Sequence, residues 1–331
     1  MKMLLTLGAL LLAVQTQAAT NELTVYSVYD GNRLAPIFQP FTDRTGINVK
    51  VEYMASSAEL TQRLKQEGAS SPADVYLDKD IVFLAEAQRQ DVFQSFNSAT
   101  IAQNVPAQFI SPGNQWFLIF YRARTIMYNQ NKVSPSELST YAALGDAKWK
   151  GRLCVRTSGS NYNQALAGSF LIHDGIEQAT NILSSWVNNF SMDPIKGDTD
   201  LLKAIAEGKC DVGIANTYYL APLIKADPNF PVRPFFANQN TTGTHLNGVG
   251  VALTKHTKNI PEATLLLEYL TSKEVQAPVA AGFYQYPVNQ QAELVKELVD
   301  FGPFHRDLTN VGVVGAKAAE TKAIFEKAGY K

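Results

Sequence analysis

Tyr218 and Tyr219 stand side by side just after a short apolar run, Val212 to Ala215, with Asn216-Thr217 between. Such a run reads as a buried strand that stops where two phenols begin. A phenolate is a hard oxygen donor, but a tyrosine hydroxyl ionises only near pH 10. Ionising one at neutral pH costs about 4 kcal/mol, roughly three pKa units, unless a strongly charged cation supplies it. Ferric iron, small and triply charged, is suited to that task. The doublet also has a plain reading, one ring in the core and one at the surface. The rest of the chain has to separate the two.

Other chemistries find little footing. His173, His245, His256 and His305 show no metal-ligand spacing such as HxxH or HExxH. His245 is read as structural, with a place lining a cleft as the alternative. Ser158 has no flanks of a nucleophile elbow and no visible His-Asp partners. No zinc motif and no paired catalytic carboxylates are readable, so an enzyme is not expected. The formal net charge is −1 with no basic run, which argues against a nucleic-acid partner.

The first residues read as a secretory signal peptide. Lys2 gives a positive start, Leu4 to Val14 an apolar stretch and Thr16-Gln17-Ala18 a small-residue exit. Cleavage is expected after Ala18, giving an exported chain. Two cysteines, Cys154 and Cys210, are an even count in strand-like contexts. In an exported protein they are expected to form a disulfide, the alternative being two buried thiols.

The elements that must position the tyrosines alternate in type. Leu23 to Tyr26 reads as a strand, and Leu34, Ile37, Phe38 and Phe41 fall at helical spacing before Gly46. Ile47, Val49 and Val51 alternate with polar residues as a strand, and Ser56 to Glu59 is a capping box. A strand near Ser71 to Leu77 and a helix from Ile81 follow. This order predicts a mostly parallel sheet covered on both faces. Trp116 to Tyr128 runs without Gly or Pro and is long for one strand. A strand crossing between two domains explains the length, with Gly248 to Leu253 as the return. Further helices are expected over Asn163–Ile172, Ala179–Phe190, Asp200–Glu207, Pro261–Thr271, Lys273–Ala280 and Ala316–Lys327. The fold class is α/β, a two-lobed clamshell with two hinge-crossing strands and a ligand cleft between lobes. The division runs 1–18 signal peptide, 19–122 with 248–300 as N-terminal lobe, and 123–247 with 301–331 as C-terminal lobe.

At this point the chain resembles the periplasmic ferric-ion-binding proteins of bacterial iron ABC importers, in the transferrin-like group. The segments Phe41 to Ile47, Arg122 to Asn129 and Leu144 to Arg152 carry the likeness along most of the length. Arg156-Thr-Ser-Gly-Ser-Asn-Tyr-Asn-Gln164 and Asn216-Thr-Tyr-Tyr219 are the specific motifs, and Tyr286-Pro-Val288 also recurs. The resemblance implies that Tyr218 and Tyr219 hold ferric iron with Tyr162 as third phenol. It implies a small anion, carbonate or phosphate, near Ser158, Gly159 and Asn216. Arg122 is a further anion candidate, or a salt bridge at the hinge. The usual histidine of the first loop is replaced by Asp30, a hard donor whose alternatives are a solvated loop carboxylate or a helix cap. Tyr29 is the less favoured donor, and water or the anion is the remaining choice. Lys79 stands where some members have glutamate. An inner-membrane ABC permease, a cargo of free or chelated ferric iron, and a monomer are the implied partners and state. The same scaffold also carries anions and other small solutes, which is the rival reading.

Overall fold

A computed structural model describes residues 22–331, so the signal-peptide segment lies outside the described residues. Ten strands form one sheet among the described residues. They are β1 (Glu22–Ser27), β2 (Asn48–Tyr53), β3 (Val75–Asp78), β4 (Phe93–Gln94), β5 (Trp116–Asn129), β6 (Leu153–Cys154), β7 (Val212–Asn216), β8 (Val232–Phe235), β9 (Leu246–Thr254) and β10 (Tyr286–Pro287). The main order is β2-β1-β3-β9-β5-β7-β6. The expected parallel pairing holds at the two ends, in β2-β1-β3 and β7-β6. Between them β9 and β5 enter antiparallel to their neighbours, so the sheet as a whole is mixed.

The two crossing strands are where they were expected. β5 is 14 residues long and buried throughout. Its first half pairs with β9 and β10, its second with β7 and β8. β9 is likewise buried along its length. With no face open to water, each is apolar over most of its length, and the polar residues of β5, Arg122 and Arg124 among them, are buried with partners. One hydrophobic cluster gathers around Leu23, Val75, Phe117 and Leu253, and two others around Ile126, Trp186 and Ile214, and around Met127, Leu201 and Leu220.

Local signals in the sequence are realised at several helix ends. Ser56 Oγ accepts from the Glu59 N–H at 3.2 Å, while the Glu59 carboxylate reaches back to the Ala55 N–H at 3.1 Å. The two helices expected over 163–172 and 179–190 are present as the two halves of Asn161–Val187, divided at Gly175, whose φ of 77° no helix interior adopts. The final helix differs from the single one expected over 316–327. It is two, Val311–Lys317 and Thr321–Ala328, and the first begins ahead of the expected range. A Cβ on Gly315 would lie 2.3 Å from the Ile81 carbonyl oxygen, so glycine is what lets this helix seat against the helix Ile81–Arg89. Val311 and Val314 belong to the first hydrophobic cluster, whereas Ile324 and Phe325 belong to the second.

Cys154 and Cys210 are joined by a disulfide, Cα to Cα 5.8 Å, across 56 residues of chain. Cys154 ends β6 and Cys210 lies just before β7, its parallel neighbour, so the bond staples the strand that leads to the tyrosines. Loop-closure entropy for this separation predicts that a Cys154→Ser/Cys210→Ser variant loses about 4 kcal/mol, read as a lower midpoint in urea unfolding of the metal-free protein. An unchanged midpoint would remove the staple's role.

Candidate metal centre

β7 delivers the doublet. Asn216, its last residue, is the N-cap of the helix Thr217–Ala226, so Tyr218 and Tyr219 occupy the first helical turn. Tyr162 sits in the first turn of the helix Asn161–Val187, with Ser160 at the N-cap position but its hydroxyl making no cap bond. The two helix starts converge. The hydroxyls of Tyr162 and Tyr218 lie 3.1 Å apart, and the rings of Tyr218 and Tyr219 pack with centroids 4.1 Å apart. Tyr162 is 7% exposed, and the doublet is half-buried. Burial pushes the Tyr162 phenol up to about 12 against the lowering charge of Arg122, and burial holds Tyr218 well above the ordinary range. Both are neutral hydroxyls at pH 7 and release protons only to a strong Lewis acid.

Three guanidiniums surround these rings. The Cζ of Arg122 lies 5.0 Å from the Tyr162 centroid and 5.6 Å from that of Tyr218, Arg124 lies 5.8 Å from Tyr162, and Arg156 lies 5.0 Å from it. Arg122 and Arg124 are buried and paired. Arg122 donates to the Lys79 carbonyl at 2.7 Å and to Asp80 at 3.2 Å, which is the salt-bridge alternative of the sequence reading. Arg124 donates to Asp198 at 2.9 Å and to Asn163 Oδ1 at 2.7 Å. Asp198 also accepts from the Asn216 N–H at 3.0 Å, so one carboxylate ties the crossing strand to the start of the tyrosine helix.

The other residues singled out from sequence are placed as follows. Asp30 is the exposed N-cap of the helix Gly31–Thr45, its Oδ1 accepting from the Arg33 N–H at 3.1 Å. Ser158 is half-buried, with its N–H on the Lys331 carbonyl at 2.9 Å, and Gly159 is exposed. Asn216 is fully buried with Nδ2 unpartnered. His245 is 2% exposed and burial pushes its imidazole down to about 3, so it is neutral, and its backbone N–H is bonded to the Tyr141 hydroxyl. Among the described residues no three His, Cys, Asp or Glu side chains are placed to hold a metal ion.

Several site residues escaped the sequence reading. Ser160 Oγ, Asn161 Nδ2, Thr217 Oγ1 and the Nε and Nη1 of Arg156 are buried without partners at the two helix starts. The cap position before each tyrosine helix was the available signal. Tyr29, half-buried after β1, lies within electrostatic reach of Arg122, which lowers its phenol, and of Tyr162, which raises it. Burial, the larger cause, holds it far above the ordinary tyrosine range.

An α/β clamshell with polar donors and phenols gathered beside its two crossing strands defines the class of solute-capturing binding proteins. The chain belongs to the bacterial extracellular solute-binding proteins, whose family profile matches residues 30–277. Its relatives lie among the iron-uptake members. Iron uptake protein A1 of Synechocystis is 38% identical over 96% of this chain and 89% of that one. The major ferric iron-binding protein of Neisseria meningitidis is 27% identical over 97% and 98%. A Trichodesmium protein solved in complex with iron and citrate superposes with a TM-score of 0.90 at 38% identity, covering 94% of this chain and all of that one. The ferric iron-binding protein A of Mannheimia haemolytica, in an open conformation, gives 0.86 at 30%, covering 94% and 99%. The fold class is therefore the two-lobed one expected, and the family is one of carriers, not enzymes.

Proposed function

We propose that this protein is the ferric-iron-binding component of a bacterial ABC importer, capturing Fe3+ with Tyr162, Tyr218 and Tyr219 between its lobes. The observation that carries the reading is the 3.1 Å approach of the Tyr162 and Tyr218 hydroxyls, with Tyr219 packed beside them. Three oxygens on two helix starts answer three positive charges, and the helix dipoles there favour the phenolate form. The lobes are taken as 19–122 with 248–300 and 123–247 with 301–331; within the last range the helix Val311–Lys317 touches Ile81 of the first lobe through Gly315 and Gly168 of the second through Val314.

Charge balance bears on the fourth donor. Arg122, Arg124 and Arg156 against Asp80 and Asp198 leave one unit of positive charge around the C-lobe phenols, and Arg33 lies over the Tyr29 ring at 4.9 Å, with Asp78 acting the other way. Ferric iron with four phenolates carries one unit of negative charge, which a net positive surround favours. Tyr29 therefore fits as the N-lobe donor, whereas Asp30 is occupied in capping its helix. A carbonate or phosphate in place of the fourth phenol is the second reading, favoured by the unpartnered donors of Ser160, Asn161, Thr217 and Arg156. Delivery is to an inner-membrane permease, in the periplasm, by a monomer, with iron arriving free or chelated.

Titration with ferric citrate is expected to develop a visible phenolate-to-iron charge-transfer band. Tyr218→Phe should lose most of that band and weaken ferric affinity by at least about a hundredfold, since one buried charge-assisted donor is removed. A colourless loaded protein, or a Tyr218→Phe variant with wild-type colour and affinity, would overturn the reading. Binding of carbonate or phosphate without iron would instead support the anion-carrier rival.

A further inference from the structure

We propose that Arg156 is the residue that compensates the charge of the loaded site and thereby sets how readily bound iron is reduced; this rests on the ferric reading above. The three guanidiniums around Tyr162 are not equivalent. Arg122 is bound to Asp80 and a carbonyl, and Arg124 to Asp198 at 2.9 Å. Arg156 meets Asp198 only at 3.5 Å, and that Asp198 oxygen makes no hydrogen bond. Its Nε and Nη1 are buried without partners. Its charge faces Tyr219 as well as the π face of Tyr162, 5.0 Å from the ring centroid. Arg156 is thus the least satisfied cation of the site, beside the phenol that the Tyr162–Tyr218 hydroxyl contact leaves out.

A guanidinium with two unpartnered buried donors is costly while the phenols are neutral and becomes favourable when they ionise. In the loaded site it donates to the Tyr219 phenolate and offsets the excess negative charge. Reductive release is a one-electron step. An external one-electron reductant converts ferric to ferrous iron, the ferrous ion dissociates, and each freed phenolate takes a proton from water. Positive charge beside the centre favours the ferrous state, so Arg156 raises the potential and eases this step. A donor on the phenolate also lowers its lone-pair energy and moves the charge-transfer band to shorter wavelength.

The test is spectroelectrochemical reduction of the iron-loaded wild type, Arg156→Gln, Arg156→Met and Arg156→Lys, with circular dichroism of each metal-free protein. The neutral variants are expected to show a lower potential and a red-shifted band. They should release iron about tenfold more slowly under a fixed one-electron reductant, the scale of one unit charge some 5 Å away after solvent screening. Arg156→Lys, which keeps the charge, should stay near wild type. Folded Gln and Met variants with wild-type potential and band would overturn the proposal. So would a lysine variant indistinguishable from the neutral ones. A wild type that shows no charge-transfer band at all would instead count against the ferric reading itself.

Discussion

Acidification from pH 7 to pH 6 is expected to weaken binding of free ferric ion by about three to four orders of magnitude, one for each phenol ligated. The argument is one of proton counting. Every phenol that becomes a ligand gives up one proton, and metal affinity falls with pH in proportion to the protons displaced. Burial pushes Tyr162 up to about 12 and Tyr218 well above the ordinary range, so neither is ionised before the metal arrives. The sign follows: raised pKa values keep the protons on, iron must displace them, and more acid makes that displacement harder. Log affinity plotted against pH between 6 and 8 should have a slope equal to the number of phenols ligated. Three means Tyr162, Tyr218 and Tyr219, with another donor completing the site. Four means that Tyr29 has joined. Competition against a chelator of known pH dependence supplies the free-ion scale, and a slope near zero would exclude phenolate ligation.

The second large effect concerns the fold that holds the site. Asp198 is 1% exposed and accepts from Arg124 and from the Asn216 N–H. Asp198→Ala leaves Arg124 buried beside an empty partner position, which costs about 3–5 kcal/mol. Natural domains have only about 5–15 kcal/mol in hand, so the metal-free variant should unfold at markedly lower urea or temperature. Replacing both partners, Arg124→Met with Asp198→Leu, should recover part of the loss, because no unpaired charge remains. Equal unfolding midpoints for Asp198→Ala and wild type would show that Arg124 finds another counter-charge. Unlike Arg156, Asp198 touches no phenol, so its removal should act first on stability and only then on ferric affinity.

Much of this architecture is legible in residue order. The length of Trp116–Asn129 announces a crossing strand because a buried run without Gly or Pro has no place to turn. The capping signal at Ser56 and the strand Val212–Asn216 ahead of the doublet also read directly, because they depend on neighbours in sequence, whereas the helix Thr217–Ala226 that carries the doublet did not. What did not read are contacts between distant residues. Nothing near Asp198 marks it as the counter-charge of Arg124, which lies on another element. For Asp30 the sequence offers a metal donor, a solvated loop carboxylate or a helix cap, and only the backbone shows that its side chain caps the helix Gly31–Thr45. The helix Val311–Lys317 begins ahead of the one read from Ala316, because the close approach that requires Gly315 involves Ile81, far back in the chain.

The polar network behind the tyrosines also carries a consequence for timing. Asn163 donates to the Tyr330 hydroxyl at 3.0 Å, Tyr330 in turn donates to the Arg156 carbonyl at 2.8 Å, and the Ser158 N–H is bonded to the Lys331 carbonyl. The segment that presents Tyr162 is therefore fastened by residues more than 160 positions later. Contacts of such long range form late, after the loops between them have closed. A partly synthesised or partly collapsed chain lacks this fastening, so metal cannot act as an early template for folding. Loading comes as a separate event after the polypeptide has finished folding, and refolding rates should be the same with and without iron in solution.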